Sequence, residues 1–79
     1  MIQITVKLIG AAAEAAGEDI LEYALVPPAK LETLIELIQL KRPALVGVFG
    51  SCRITINGAN ADRTALLSSG DEVTIIGSD

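Results

Sequence analysis

Histidine and tryptophan are absent from this 79-residue chain, and cysteine occurs once. The first absence removes the commonest general base and the commonest transition-metal ligand. An ordinary hydrolase or a zinc centre is therefore not expected; the chain offers no catalytic residue, no metal site and no cofactor motif. With Cys52 alone no intrachain disulfide can form, so a reducing compartment fits best, and the cytoplasm is the expected location. Aromatics are confined to Tyr23 and Phe49. Positive charge is scarce too: six Lys and Arg face ten Asp and Glu, for a net charge of −4. A phosphate backbone would be repelled, and no basic stripe runs along the sequence, so nucleic acid is not an expected partner. Long apolar runs are also missing. All fall short of the roughly 18–20 residues that cross a bilayer, so no membrane span is expected. The opening "MIQITVKLIG" alternates rather than running from basic to apolar, unlike a signal peptide.

What is present is aliphatic. Hydrophobic residues make up 51% of the chain, nearly all of them Ile, Leu, Val and Ala. A single domain over residues 1–79 follows from the length. A core of this size supplies only about 3–5 kcal/mol of net stability. So much aliphatic surface on so small a domain leaves some exposed, which points to a partner.

Periodicity divides the chain. "IQITVKLI" at 2–9 alternates as a half-buried strand, with Ile2, Ile4, Val6 and Leu8 on one face and Gln3, Thr5, Lys7 and Ile9 on the other. Ala11 to Ala16 favour a short helical turn, stopped by Gly17. Residues 18–26 read as a second strand with Leu21, Tyr23 and Leu25 inward, ended by Pro27 and Pro28. The i, i+3, i+4, i+7 spacing of Leu31, Leu34, Ile35 and Ile38 predicts a helix over 29–42, closed by Lys41, Arg42 and Pro43. Residues 44–50 form an apolar connection packed down by Leu45 and Phe49. "CRITIN" at 52–57 alternates again, with Cys52, Ile54 and Ile56 inward and Arg53, Thr55 and Asn57 outward. Asn57-Gly58 is a hairpin signal, returning through an edge strand near 59–62. Leu66 and Leu67 plug the core. Residues 68–71 form a turn in which Asp71 bonds backbone amides. "EVTII" at 72–76 is the last strand, with Val73 and Ile75 inward. Strands around one helix give an α+β, two-layer domain whose sheet has one open face.

Three stretches carry a resemblance: "VKLIGAAAEAAGED" after the opening strand, "ITINGANAD", and "LLSSGDEVTII". In this order and spacing the chain resembles the ubiquitin-like sulfur carriers, the family of the molybdopterin-synthase small subunit and its thiamine-pathway relative. The resemblance implies a β-grasp fold: a mixed sheet of about four to five strands covered on one face by one helix. It implies that the protein is not an enzyme by itself but a carrier subunit. An adenylating enzyme activates the family's C-terminal carboxylate, sulfur replaces the adenylate, and the tail enters a larger synthase-like subunit. Glycines suit such a tail because no side chain obstructs a narrow channel.

The family pattern breaks at its end. Gly77, Ser78 and Asp79 stand where a proline-bearing extension and Gly-Gly are expected. Ala13 and Ile9 replace a charged or large residue and an aromatic that the family often carries. For residues 77–79 three readings stand open: an idle solvated terminus, the remnant of a trimmed longer tail, or a tail that acts as it is. Two functions are compatible with this. One is a sulfur-carrier-like protein docking by its open face and C-terminus. The alternative is a diverged interaction module with no sulfur transfer, for want of Gly-Gly. Both use the same surface. If the first and last strands are parallel neighbours, Ile9 and Ile76 lie together on the open face, framed by Lys7, Arg53 and Thr74, with Thr5 and Thr55 beside them. These are the expected partner-binding residues, or else scattered surface aliphatics. Cys52 is expected to be a small buried hydrophobe, and Glu18-Asp19 and Asp71-Glu72 solvated turn charges. A homodimer stays open, through the aliphatic surface or the edge near 59–62.

Overall fold

The computed structural model describes residues 1–47 and 49–77, the side chain of Ser51 apart. Strands β1 (Ile2–Ile9), β2 (Ile20–Leu25), β4 (Arg53–Ile56), β5 (Ala59–Asn60) and β7 (Glu72–Ile76) form a five-stranded mixed sheet in the order β2-β1-β7-β4-β5. A two-stranded strip pairs β3 (Ala29–Lys30) with β6 (Leu66–Leu67). A short helix α1 (Ala11–Ala16) follows β1, and the main helix α2 (Leu31–Lys41) follows β3. This is the β-grasp fold expected from the sequence. The first and last strands are central neighbours and run parallel, while β1 with β2 and β4 with both its neighbours run antiparallel.

The core lies between α2 and one face of the sheet. Leu31, Leu34, Ile35 and Ile38 are each 0–1% exposed, as the spacing of the helix stripe requires. They meet Ile4, Val6 and Leu8 of β1 and Val73 and Ile75 of β7 in one cluster, which Leu45 and Phe49 close from the connection after α2. Burying each such side chain contributes about 1.5–3 kcal/mol before the entropy of ordering the chain is set against it.

The main helix begins two residues later than its periodicity suggests, and the reason is not local. Ala29 and Lys30 pair with Leu67 and Leu66. No side chain caps the helix at Lys30. Instead the Leu31 and Glu32 amides donate to the carbonyls of Ala65 and Arg63, 2.9 Å each. Backbone from a distant loop thus satisfies donors that a Ser or Asp would normally take. Leu66 and Leu67 do not both plug the core: Leu67 is buried and Leu66 is 65% exposed, because neighbouring residues of a strand face opposite ways.

Ends and faces shift elsewhere by small amounts. The second strand is Ile20–Leu25 rather than 18–26, the fourth Arg53–Ile56 rather than 52–57, and the edge strand Ala59–Asn60 rather than 59–62. Cys52, Ile54 and Ile56 pack against the core but are only partly buried, since β4 lies toward the edge of the sheet. Thr55, expected outward, lies on the open face yet is 9% exposed; its short side chain sits on a rung between Asn60 and Thr74.

Two turns complete the sheet. Asn57 (φ 51°) and Gly58 (φ 84°) both adopt left-handed backbone, the conformation of a two-residue hairpin. The Asn57 side chain also reaches the last turn. Its amide nitrogen donates to Asp71 Oδ1 at 3.0 Å, and its oxygen accepts from the Glu72 amide at 2.9 Å. Asp71 Oδ2 in turn accepts from the Ser68 amide at 2.8 Å, the local role expected of it.

Candidate functional site

The α2-covered face takes the even-numbered residues of β1 and the odd-numbered residues of β7, leaving the others on the open face. Pairing then sets the rungs. Ile9 lies opposite Ile76, and Ile76 opposite Arg53. One rung away, Lys7 lies opposite Thr74, and Thr74 opposite Thr55. Paired strands run about 4.8 Å apart, so these residues form one continuous corner of the open face. All five residues expected to frame the surface, Lys7, Ile9, Arg53, Thr74 and Ile76, are thereby neighbours.

The corner is amphipathic. Ile9 is 49% exposed and Ile76 half-buried beside it. Lys7 is held by Glu72, with 3.7 Å between Nζ and Oε1. Arg53, exposed on the isoleucine rung, has no ion pair among the described contacts. Sequence reasoning missed a third apolar member. Ile20 pairs with Lys7 and is 52% exposed, extending the apolar area onto β2. Its alternation with Leu21, Tyr23 and Leu25 was the signal that could have placed it there.

The C-terminal segment leaves from the same corner, and of its three residues only Gly77 is described. Gly77 is not a solvated terminus: it is buried. Its amide donates to the Ile9 carbonyl at 2.9 Å, continuing the parallel ladder by one bond. Its Cα rests on the start of α1. A Cβ at residue 77 would lie 2.5 Å from the Ala12 nitrogen, 3.0 Å from the Ala11 nitrogen and 3.1 Å from the Ala11 Cβ. Only glycine fits. Gly10 turns the chain into α1 with φ 68° and ψ −133°, backbone that other residues avoid. No periodicity could reveal this seat, because it joins residues more than sixty positions apart. Ser78 and Asp79, the rest of the expected tail, lie outside the described residues.

The remaining candidates do not converge on this corner. Glu18 pairs with the Arg42 guanidinium at the C-terminal end of α2, and Asp71 serves its own turn. Cys52 is half-buried, and burial pushes its thiol pKa up, which disfavours the nucleophilic thiolate. Burial likewise raises the Tyr23 hydroxyl; Arg42 opposes that shift and Glu18 adds to it. Hydrogen bonds from Thr64 hold the exposed Asp62 carboxyl below its ordinary value. Among the described residues no three His, Cys, Asp or Glu side chains are grouped to hold a metal ion, and no helix is long and apolar enough to cross a membrane. What the corner offers is an apolar contact with two cations beside it, Lys7 paired with Glu72 and Arg53 with no ion pair among the described contacts, and a pinned chain exit.

The model of the ThiS family matches residues 6–77. No curated protein sequence matches the chain. Solved structures do. The small archaeal modifier protein 1 of Methanosarcina acetivorans is 28% identical, with 98% of this chain and 93% of that one covered and a TM-score of 0.85. A putative molybdopterin converting factor, subunit 1, from Pyrococcus furiosus covers both chains completely with a TM-score of 0.90 at 22% identity. Subunit 1 or 2 in a complex of the two subunits of Helicobacter pylori molybdopterin-converting factor matches at 19% identity and a TM-score of 0.77, covering 99% of this chain and 96% of that one.

Proposed function

This chain belongs to the ThiS family of ubiquitin-like sulfur carriers, and from that premise we propose that it is a carrier subunit that docks on a larger, synthase-like enzyme. It has no catalysis of its own; the reaction belongs to the complex. Contact is made by Ile9, Ile76 and Ile20, with Lys7, Arg53 and Thr74 around them, and the segment from Gly77 onward is delivered to the partner. An adenylating enzyme is the second partner, acting on the C-terminal carboxylate.

The observation that carries the reading is the pairing of Ile9 with Ile76 on the uncovered face, at the sheet end where the chain exits. A partner that covers these side chains also receives the chain leaving Gly77. Apolar contact at the centre of an interface supplies most of its energy, and a rim cation such as Arg53 sets orientation. The complex of the two Helicobacter pylori subunits supports a large partner of the same kind.

The test has two arms. Ile9→Asp and Ile76→Asp are titrated by calorimetry against a molybdopterin-converting-factor subunit 2; binding is expected for the parent chain and lost in both variants. Incubation with ATP, a sulfur donor and a carrier-activating enzyme is read by intact mass. A gain equal to the difference between sulfur and oxygen supports the carrier role. Binding without that gain leaves an interaction module.

A further inference from the structure

The sheet ends on β2, which pairs with β1 alone among the described residues. The direction of its backbone groups is set by its neighbours. The Leu8 amide donates to the Asp19 carbonyl at 2.8 Å, so Leu8 and Asp19 form a hydrogen-bonded pair. Such pairs alternate along an antiparallel ladder, which makes Leu21, Tyr23 and Leu25 the residues bonded to β1. The opposite side of β1 agrees: Thr5 and Ile9 bond toward β7. The N–H and C=O groups of Ile20, Glu22 and Ala24 therefore point away from the sheet. Their side chains stand on the open face, and all three are exposed. Beneath this edge, on the helix side, a groove of about 380 Å³ runs past Leu21 and Tyr23 to Lys41 and Arg42 at the end of α2.

We infer that β2 is a second docking site, one that accepts an extended segment of a partner protein as an added antiparallel strand. Main-chain bonds to Ile20, Glu22 and Ala24 hold such a segment, and alternate side chains specify it. Charge says which. On the open face the residue opposite Glu22 is basic, between apolar residues opposite Ile20 and Ala24. The intervening side chains turn toward the groove. Arg42 is already neutralised there by Glu18, while Lys41 has no ion pair among the described residues and receives a carboxylate. The occupant is thus a short strand alternating apolar and basic residues outward with acidic residues inward. A second copy of this chain fits less well, because two-fold pairing in full register sets Glu22 against Glu22. The site does not depend on the proposed carrier role: it shares Ile20 with the docking corner but uses the backbone edge of β2 and not the chain exit.

The probe is a capped peptide, Thr-Val-Glu-Lys-Glu-Val-Thr, titrated into the labelled protein by NMR. Saturable shifts are expected at the Ile20, Glu22 and Ala24 amides. Glu22→Lys weakens this binding by roughly twofold to thirtyfold, the range of reversing one cross-strand charge pair. The same variant gains affinity for the peptide whose central Lys is replaced by Glu. Ala24→Pro removes an outward N–H that the native sheet does not use and abolishes binding while core methyl resonances stay in place. No saturable shift, shifts confined to the β5 edge, or affinities indifferent to the charge exchange would overturn the proposal. Concentration-dependent broadening of the β2 amides without peptide would overturn it in favour of a second copy.

Discussion

Replacing Gly77 by alanine sets two opposing effects against each other, and the structure decides the sign. Where alanine fits without strain, the change stabilises a protein by about 0.4–1 kcal/mol, because the unfolded chain loses freedom. Here the new Cβ would stand 2.5 Å from the Ala12 nitrogen, and that neighbour is backbone, which cannot swing aside. Forcing a methyl into a packed site costs about 1–3 kcal/mol. There is a cheaper escape. Residue 77 lies just past β7 and is held by one backbone bond among those described, so it can lift off its seat. Lifting loses the 2.9 Å bond to the Ile9 carbonyl, worth about 0.5–1.5 kcal/mol. The escape caps the loss, so Gly77→Ala should destabilise the domain by about 1 kcal/mol or less. It should also abolish hydrogen-exchange protection of the residue-77 amide while β1 and β7 stay protected. Urea unfolding and amide exchange measure both. A stability equal to or above that of the parent, with the amide still protected, would refute the seat.

Asn57→Ala removes two side-chain bonds between the hairpin and the last turn and places alanine at φ 51°; it should lower the urea midpoint by an amount equivalent to about 1–2 kcal/mol. Asn57→Gly also loses both bonds but tolerates the left-handed backbone and should cost less; equal losses would mean that the backbone conformation contributes nothing and the side-chain bonds carry the whole loss. Cys52 should alkylate slowly at neutral pH, because burial raises its pKa and suppresses the thiolate; labelling as fast as in the urea-unfolded chain would contradict this. The same shift has a sign in stability. Cys52 and Tyr23 both have raised pKa values when folded, so their contribution is fully present below the ordinary thiol and phenol values. It is lost as pH rises through the folded ones. Unfolding midpoints should therefore fall on the alkaline side, and substituting Cys52 by alanine should flatten part of that fall.

The elements visible in the sequence were those whose signal is local. Alternation in "IQITVKLI" and "EVTII", the helical stripe from Leu31 to Ile38 and the Asn57-Gly58 turn each rest on neighbours within a few residues, and each stands where it was expected. Pairing Ile9 with Ile76 needed only the parallel arrangement of the two strands that the resemblance implied. The misses share another cause. The cap on α2 comes from carbonyls of Arg63 and Ala65, the strip of Ala29 and Lys30 from Leu66 and Leu67, and the burial of Gly77 from α1. In each the partner lies far along the chain and contributes backbone, which leaves no mark on residue type. Ile20 was different: its exposure was legible in the alternation of β2.

On the proposed function, the corner formed by Ile9 and Ile76 is the partner-binding surface. Calorimetric titration of Ile9→Asp against a molybdopterin-converting-factor subunit 2, with Leu40→Asp as a control on a 74% exposed residue of α2, checks this. Ile9→Asp places a charge in an apolar contact and should weaken binding at least a hundredfold, about 3 kcal/mol, while Leu40→Asp binds like the parent. Equal affinities for the parent chain, Ile9→Asp and Leu40→Asp would contradict it.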